Sequence, residues 1–226
     1  MNGVMSYDGN SNTPHHFYEP VNSYGKKDTH SLQTKKTQAK KSWTSLDLYR
    51  RIFEELYAVP VIKGRKSETE KFAGAEYTTS VETFLPNGKA IQGATSHHLG
   101  QHFTKAFNIE FLDEDGGKQF AYHNSWGITT RTIGIMILMH GDNKGLVLPP
   151  RIAPTKAVIV PIIFEKTKDI VLKEARKLQS ALSKKFTVHL DDREGYSPGW
   201  KFNQWEMKGI PVRIELGPKD IEKKSA

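Results

Sequence analysis

The chain has 226 residues, of which 37% are hydrophobic and 26% charged, so it can form a buried core and is not disordered over its whole length. It contains no cysteine, which excludes disulfide bonds, thiolate zinc sites and a thiol nucleophile. No apolar run approaches the roughly 20 residues needed to cross a bilayer, and no secretory signal is visible, so we expect a cytoplasmic protein without a membrane partner. The net charge of +8 favours polyanions such as nucleic acid or nucleotide phosphates.

Residues 1–41 differ in composition from the rest of the chain. They are rich in small polar residues and lysine and show no hydrophobic period, so we expect them to be disordered or loosely attached. Such a tail either has no role or acts as a basic arm that touches RNA. Ordered structure is predicted to begin at Ser42, with a helix whose capping box is Thr44 and Asp47 and which ends at Pro60.

The segment that follows mixes strands and helices in an α+β pattern. A turn at Pro86-Asn87-Gly88 separates two predicted strands, which indicates a hairpin. A later strand runs directly into a helix. The predicted elements are strands at 76–85 and 89–96, a short helix at 99–107, a strand at 119–126 and a helix at 129–139.

A proline-rich segment at 148–151 predicts a boundary between two folded parts. Beyond it, the order strand, helix, strand, helix, strand indicates a parallel or mixed sheet. The strands are predicted at 157–164, 186–190 and 212–216, and the helices at 169–183 and 200–207. We therefore divide the chain into a tail at 1–41, an α+β part at 42–148 and an α/β part at 149–226.

Two polar clusters stand out in the α+β part. Lys63-Gly64-Arg65-Lys66 is either an exposed basic loop or a contact to phosphate or RNA. Residues 92–98, with the sequence QGATSHH, end a predicted strand, where small residues allow a ligand to approach and polar side chains offer donors and acceptors. The two histidines are also compatible with surface or satisfied core positions. The lack of cysteine and of an HExxH pattern argues against zinc.

A third cluster lies where a strand passes into a helix whose first turn holds Thr129, Thr130 and Arg131. Backbone N–H groups at a helix N-terminus, together with an arginine, make an anion site. The alternative is that Thr130 caps the helix and Arg131 pairs with a carboxylate. The residues alone favour neither interpretation.

A fourth cluster, at residues 193–205, interleaves aromatic and basic side chains. Arg193 and Lys201 alternate there with Tyr196 and Trp200, an arrangement that suits stacking on unpaired bases. The aromatic residues are equally well explained as the core of a small βαβ unit.

Together, these stretches closely resemble prolyl-tRNA synthetase of the eukaryotic/archaeal type, a class II aminoacyl-tRNA synthetase. The resemblance runs almost without a break from residue 46 to residue 220. The segments that carry it are VPVIKGRKSETEKFAGAEYTT, AIQGATSHHLGQHF, HNSWGITTRTIGIMILMHGDNKGLVLPPRIAP and YSPGWKFNQWEMKGIPVRIELGPKD.

The resemblance implies a fold and an activity. The fold would be part of the class II antiparallel-sheet catalytic domain, followed by an incomplete α/β anticodon-binding domain. The family uses ATP and Mg²⁺ to activate L-proline as prolyl-adenylate and then transfers proline to tRNA-Pro. A homodimer is expected for the complete enzyme.

Site residues are implied by the same matching segments. Gln92, Gly93, Ala94 and Thr95 would line the ATP site, with Gln92 near the magnesium-bound phosphates. His97 would lie in the proline pocket. The third class II motif is matched by Thr129, Thr130 and Arg131, whose arginine would hold ATP. The residues expected to contact tRNA are Lys63, Arg65, Lys66, Arg193, Trp200 and Lys201.

The chain also departs from the family pattern. The tail before Ser42 contains neither an arginine nor the Arg-x-Glu signature of the second class II motif. We therefore expect a fragment of the enzyme that does not make prolyl-adenylate alone, lacks a zinc site and leaves open edges at strands 76–96 and 119–126. The alternative is a non-catalytic RNA-binding module derived from the synthetase.

Overall fold

A computed structural model of the protein describes residues 16–18, 27–33, 35–112 and 116–223. The chain divides into two compact units. The first contains residues 1–54 and 60–133, and the second contains residues 55–59 and 134–226. The division therefore differs from the boundary predicted at 148–151, because residues from 134 onward group with the second unit.

The first unit is built on a six-stranded antiparallel sheet with the strand order β1-β2-β8-β5-β4-β3. The strands β6 and β7 form a separate two-stranded sheet. In chain order, the elements up to residue 140 are β1 (His16–Tyr18), β2 (Lys27–Gln33), α1 (Lys35–Arg51), which continues as a π-helical turn at Ile52–Leu56, β3 (Ile62–Arg65), β4 (Tyr77–Phe84), β5 (Ala90–Gly100), α2 (His102–Ala106), β6 (Glu110–Leu112), β7 (Lys118–Phe120), β8 (Tyr122–Ile128) and α3 (Arg131–His140). Residues 134–140 of α3 group with the second unit.

The start of the ordered chain differs from the prediction. Helix α1 begins at Lys35, so Thr44 lies inside it, where its Oγ1 donates to the Lys40 carbonyl over 2.9 Å instead of capping the helix. The predicted capping box is therefore wrong. Strands β1 and β2 also fall within the segment expected to be disordered, which corrects that expectation for their residues. The rest of residues 1–34 lies outside the described residues.

The open edges expected at the hairpin and at strand 119–126 are not found there. Strands β4, β5 and β8 all lie inside the sheet, because β3 pairs with β4 and β2 pairs with β8. One face of these strands packs against α1, whose Leu46 and Tyr49 are buried, as is Phe53 in the π-helical turn that continues it. The edge at β3 is short and carries Lys63 and Arg65, which is a common way to prevent strand addition.

The second unit confirms the predicted parallel sheet. Strands β9 (Ala157–Pro161), β10 (Val188–Leu190) and β11 (Val212–Leu216) pair in parallel in the order β10-β9-β11. Both faces of β9 are covered, which explains why its five residues are all buried. The helices of this unit are α4 (Lys168–Leu182), α5 (Pro198–Met207) and α6 (Pro218–Lys223).

Helix α5 begins two residues before the predicted start. Ser197 caps it by accepting a hydrogen bond from the Trp200 amide over 3.3 Å, and Pro198 occupies the first helical turn. Among the described residues, no helix is long and apolar enough to span a bilayer.

Candidate functional site

A cavity of about 620 Å³ opens on the sheet of the first unit. Thr95 and His97 of β5 lie two residues apart, so they share one face of the strand. Their cross-strand partners on β8, Gly127 and Ser125, line the same cavity. The lining residues are Phe72, Gln92, Gly93, Ala94, Thr95, His97, Leu99, Phe103, Phe107, Ile109, His123, Ser125, Gly127, Thr129 and Arg131.

The structure thus brings together all but one of the residues predicted to contact ATP or proline. Thr130 is the exception: it is exposed and does not line the cavity. Ser125 and Gly127 were missed, although the alternation along a strand opposite Thr95 could have identified them. No comparable sequence pattern marks the aromatic residues of the cavity. Phe72 comes from a loop, Phe103 from the first turn of α2, and Phe107 directly follows α2.

The end of β5 that carries Gln92 is irregular. Gln92 pairs with Glu82 and Ala94 pairs with Val81, so Gly93 is an extra residue in a β-bulge. A Cβ atom at Gly93 would lie 2.5 Å from the Phe53 ring. The glycine is therefore required by the packing of α1 against the sheet, and not only by the approach of a ligand.

His97 is held on both sides of its ring. Its Nδ1 lies 2.9 Å from Thr78 Oγ1, and its Nε2 lies 3.2 Å from Thr95 Oγ1. The ring of Phe72 tilts against it with a centroid separation of 5.0 Å. These contacts fix the imidazole at the junction between the polar and aromatic walls of the cavity.

The aromatic wall continues from Phe72 to Phe103, whose ring centroids are 6.3 Å apart. Phe107 lies beside them and remains 72% exposed. Such a wall suits a small apolar ring, because it removes carbon surface from water without requiring a polar group from the ligand.

The side chain of Thr129, which lines the cavity, caps α3. Thr129 Oγ1 accepts from the Arg131 amide over 3.2 Å, and its carbonyl accepts from the Thr132 amide over 3.1 Å. Among the described residues, no carboxylate pairs with the exposed Arg131 guanidinium. The interpretation of Arg131 as an ion-pair partner is therefore not supported, and its charge is available to a ligand in the cavity.

Metal ligands are sparse around this cavity. Among the described residues, no three His, Asp or Glu side chains come close enough together to hold a metal ion. Glu82, the partner of Gln92 across the strands, accepts from Ser80 over 2.8 Å and pairs with Lys66 over 3.2 Å. These two contacts lower the pKa of Glu82 despite its partial burial.

Residues 63–65 of the basic cluster lie in strand β3 instead of a loop, Lys66 directly follows the strand, and the cluster does not line the cavity. Lys63 pairs with Asp47 over 3.0 Å, while Lys66 pairs with Glu82. Arg65 lies over the Tyr77 ring at 4.9 Å from its centroid. Because these cations already have partners in the fold, they are weaker candidates for RNA contact than their sequence suggested.

In the second unit, the predicted RNA-binding residues separate into two groups. Trp200 is 42% exposed and stacks on Tyr196 with a centroid distance of 4.1 Å. The Arg193 guanidinium lies 5.3 and 5.4 Å from the centroids of these two rings. We call these three residues the aromatic platform.

Lys201 does not belong to the aromatic platform, which corrects the prediction that it contacts tRNA. It is 3% exposed, and its Nζ donates to the Asp191 carbonyl over 3.0 Å. Its stem lies within the unit because position 201 falls on the inward face of α5, as does Trp205. A buried ammonium needs such a partner and is not free to contact RNA.

An Arg-x-Glu triplet does occur in the chain, outside the cavity. Arg213-Ile214-Glu215 lies on β11 of the second unit. Arg213 pairs with Glu215 over 2.9 Å and lies over the Phe202 ring. This arginine therefore belongs to the α/β unit, and the spacing alone does not identify the second class II motif.

Comparison with known proteins connects both units to one class of enzyme. Residues 20–140 match the tRNA synthetase class II core domain (G, H, P, S and T), and residues 156–226 match the anticodon binding domain. The chain is 56% identical over 181 residues to proline–tRNA ligase of Alkaliphilus oremlandii, which covers 80% of this chain and 37% of that protein. The chain belongs to the prolyl-tRNA synthetase family.

Other members of the prolyl-tRNA synthetase family match with similar strength. A proline–tRNA ligase of Clostridioides difficile is 54% identical, with 80% of this chain and 37% of that protein covered. The bifunctional glutamate/proline–tRNA ligase of Mus musculus is 52% identical, covering 78% of this chain and 12% of that protein. The chain thus spans little more than a third of the single-function relatives. The core-domain match begins at residue 20, before residue 46, where the resemblance noted from the sequence begins.

Proposed function

We propose that the cavity of the first unit is part of a prolyl-tRNA synthetase site that binds ATP and L-proline for the formation of prolyl-adenylate and the transfer of proline to tRNA-Pro, and that this chain alone does not carry out the reaction. The observation that carries the proposal is the composition of the cavity: it is lined by polar strand residues, by an aromatic wall and by Arg131, which has no carboxylate partner among the described residues. The class II core match supports ATP-dependent ligase chemistry.

The proposed roles follow the chemistry of the reaction. The proline carboxylate attacks the α-phosphate, so the site must bring two anions together and neutralise their charge. Arg131 would hold the nucleotide, with Gln92, Thr95 and Thr129 donating to its oxygens. Thr130 is a weaker candidate, because it does not line the cavity.

Magnesium fits this site only as a companion of the nucleotide. Mg²⁺ prefers oxygen ligands and is often held by substrate phosphates and few protein groups. Gln92 would contribute its amide oxygen, since no acidic cluster is present among the described residues. When bound, the ion would supply charge neutralisation at the phosphates.

Proline recognition would depend on the junction around His97. The pyrrolidine ring would lie against Phe72 and Phe103, which offer apolar surface of suitable size. A ring without a polar side chain is selected by fit, so modest discrimination against similar small amino acids is expected. The cytoplasmic location and the homodimer stay predictions.

Arg131→Ala tests the nucleotide site directly. Removal of a charge-assisted contact to phosphate should weaken ATP binding by about tenfold or more. The measurement is calorimetric titration of the chain with Mg-ATP. Arg176→Ala is the matched control, because Arg176 is an exposed arginine of α4 with one distant carboxylate partner at 3.6 Å. Equal affinities for the two variants would contradict the proposal.

The aromatic platform supports a second function, the binding of unpaired bases in tRNA. Base stacking on an exposed aromatic ring is worth about 1–3 kcal/mol, so Trp200→Ala should weaken tRNA-Pro binding by about 5- to 150-fold. Trp43→Ala is the control, since Trp43 is an exposed tryptophan of the first unit. Fluorescence anisotropy with labelled tRNA-Pro would measure both. An unchanged affinity for Trp200→Ala would remove the platform from the tRNA site.

A further inference from the structure

A chain of hydrogen bonds leads from the backbone at Phe72 into the cavity. The Phe72 N–H donates to Thr78 Oγ1 over 3.0 Å, and the same oxygen lies 2.9 Å from Nδ1 of His97. On the other side of the ring, Nε2 lies 3.2 Å from Thr95 Oγ1. Thr78 is 1% exposed and lies on β4 directly opposite His97.

The hydrogen bonds available to the buried Thr78 hydroxyl determine which nitrogen of the His97 ring carries the proton. A hydroxyl group has one hydrogen to donate and two lone pairs to accept with, and a buried hydroxyl is expected to use its hydrogen. One lone pair already accepts from Phe72. Within the described contacts of Thr78, His97 Nδ1 is the acceptor that its hydrogen can reach. Donation by the Nδ1–H instead would leave that hydrogen without an acceptor.

The direction of every later bond is then fixed. If Nδ1 accepts, the neutral imidazole carries its proton on Nε2 and donates to Thr95 Oγ1. The hydroxyl hydrogen of Thr95 is left to point into the cavity, which Thr95 lines. All four groups donate in the same sense, from the backbone towards the ligand, and such aligned bonds strengthen one another.

We propose that Thr78 is a positioning residue that sets this direction, so that Thr95 Oγ1, which accepts from His97 Nε2, donates its own hydrogen to an anionic oxygen of the ligand. The inference rests on the proposed function for its two ligands, whose carboxylate and phosphate oxygens have the required chemistry. The same polarity prevents His97 from accepting the proton-bearing amine of proline, which must find its acceptor elsewhere.

The free protein tests the polarity without any ligand. Long-range ¹H–¹⁵N correlation spectra of the ¹⁵N-labelled chain distinguish the two imidazole tautomers, and His97→Gln identifies the His97 signals by their loss. At about pH 8.5, above the ordinary histidine pKa, His97 should show a protonated Nε2 and an unprotonated Nδ1. A protonated Nδ1, or an even mixture, overturns the inference.

Variants of β4 test the role of Thr78. Thr78→Val keeps the shape and removes the hydroxyl, so the His97 ring should become a mixture of tautomers, whereas Thr78→Ser should retain the protonated Nε2. Thr79→Val is the matched control: Thr79 is also fully buried and donates to the Ser96 carbonyl over 3.1 Å, away from His97. A merely structural role would give the same spectrum for both valine variants, and this result overturns the assignment.

Three ligands identify the oxygen. The His97 Nε2–H is donated to Thr95 Oγ1, so its signal should shift with L-proline if the carboxylate accepts from Thr95, and with Mg-ATP if a phosphate does. Pyrrolidine, which has the amine but no carboxylate, should not. An equal shift with pyrrolidine, or no shift with either L-proline or Mg-ATP, overturns the donor role. For whichever of L-proline and Mg-ATP shifts the signal, Thr78→Val should lower the binding affinity by about two- to tenfold.

The outcomes separate this inference from the proposed function. Loss of ATP affinity in Arg131→Ala depends on the guanidinium and not on the tautomer of His97. A protonated Nδ1 with intact Arg131-dependent binding would therefore reject the polarity and keep the ATP site. A protonated Nε2 without any nucleotide or proline binding would reject the proposed function and keep the positioning role of Thr78.

Discussion

Asp191 is a fully buried carboxylate at the end of β10 in the second unit. Arg193 donates to both of its oxygens, over 2.7 and 2.6 Å, and Trp205 Nε1 donates over 2.7 Å. Burial alone would raise the pKa of Asp191, but the hydrogen bonds from Arg193 and Trp205 and the charge of Lys201 outweigh it and lower the pKa to about 2. The same contacts hold the Arg193 guanidinium in its place in the aromatic platform, over the Tyr196 and Trp200 rings.

Acid should therefore destabilise the second unit through this residue. The folded pKa lies below the unfolded value of 3.8, so the stabilisation is present above about pH 4 and is lost as the pH falls towards 2. The expected loss is about 2 kcal/mol in the free energy of unfolding. Urea unfolding followed by tryptophan fluorescence at a series of pH values would measure it.

Asp191→Asn should remove this part of the pH dependence and already be destabilised at neutral pH by about 3–5 kcal/mol, because Lys201 and Arg193 lose a buried partner. Asp192→Asn is the control, since the neighbouring carboxylate is exposed and lies 3.6 Å from Arg176. If Asp191→Asn and the unaltered chain lose equal stability between pH 4 and pH 2, the assigned role of Asp191 is wrong.

At the scale of secondary-structure elements, the contact between α1 and the bulged strand β5 decides the geometry of the cavity. Phe53 is fully buried and occupies the space that a side chain at Gly93 would need. Gln92 and Thr95 are three residues apart and would point to opposite faces of a regular strand. Because the bulge lies between them, both line the cavity. Packing on one face of the sheet thus positions ligand groups on the other.

Gly93→Ala should destabilise the first unit by about 1–3 kcal/mol, since the new Cβ would lie 2.5 Å from the Phe53 ring. The shift in thermal midpoint, measured by circular dichroism, reports this loss. Gly64→Ala is the matched control, because a Cβ at Gly64 meets no atom within 4 Å. Adding Phe53→Leu should recover part of the lost stability in Gly93→Ala. No recovery would point to the bulge conformation itself as the cause.

At the scale of the whole molecule, alternation and turn residues predicted the β4–β5 hairpin and the parallel order of the second unit, and matching segments predicted most of the cavity. What they could not predict depends on partners distant in sequence. Nothing local shows that Lys201 is buried, since its partner Asp191 belongs to another element. The proposed role of Thr78 could not be predicted either, because it depends on the pairing of Thr78 with His97 across two strands.

The chain spans 37% of the Alkaliphilus oremlandii proline–tRNA ligase, and Arg131 is the one arginine among the described residues that line the cavity. Loss of one preorganised donor of developing charge costs about 10²–10³ in rate. We therefore expect no proline-dependent ATP–pyrophosphate exchange by residues 1–226 above the level of Arg131→Ala. Exchange that disappears in Arg131→Ala would show that a second cation supplies the missing charge.

The short segment 55–59 groups with the second unit, although the chain on either side of it belongs to the first. Val59 in this segment is fully buried. The polypeptide therefore contributes to the second unit between α1 and β3 and then returns, so the order of the units along the gene is not a simple succession. A chimera that exchanges either unit with that of a relative needs a junction at every point where the chain passes from one unit to the other. A single cut by a protease cannot release either unit whole.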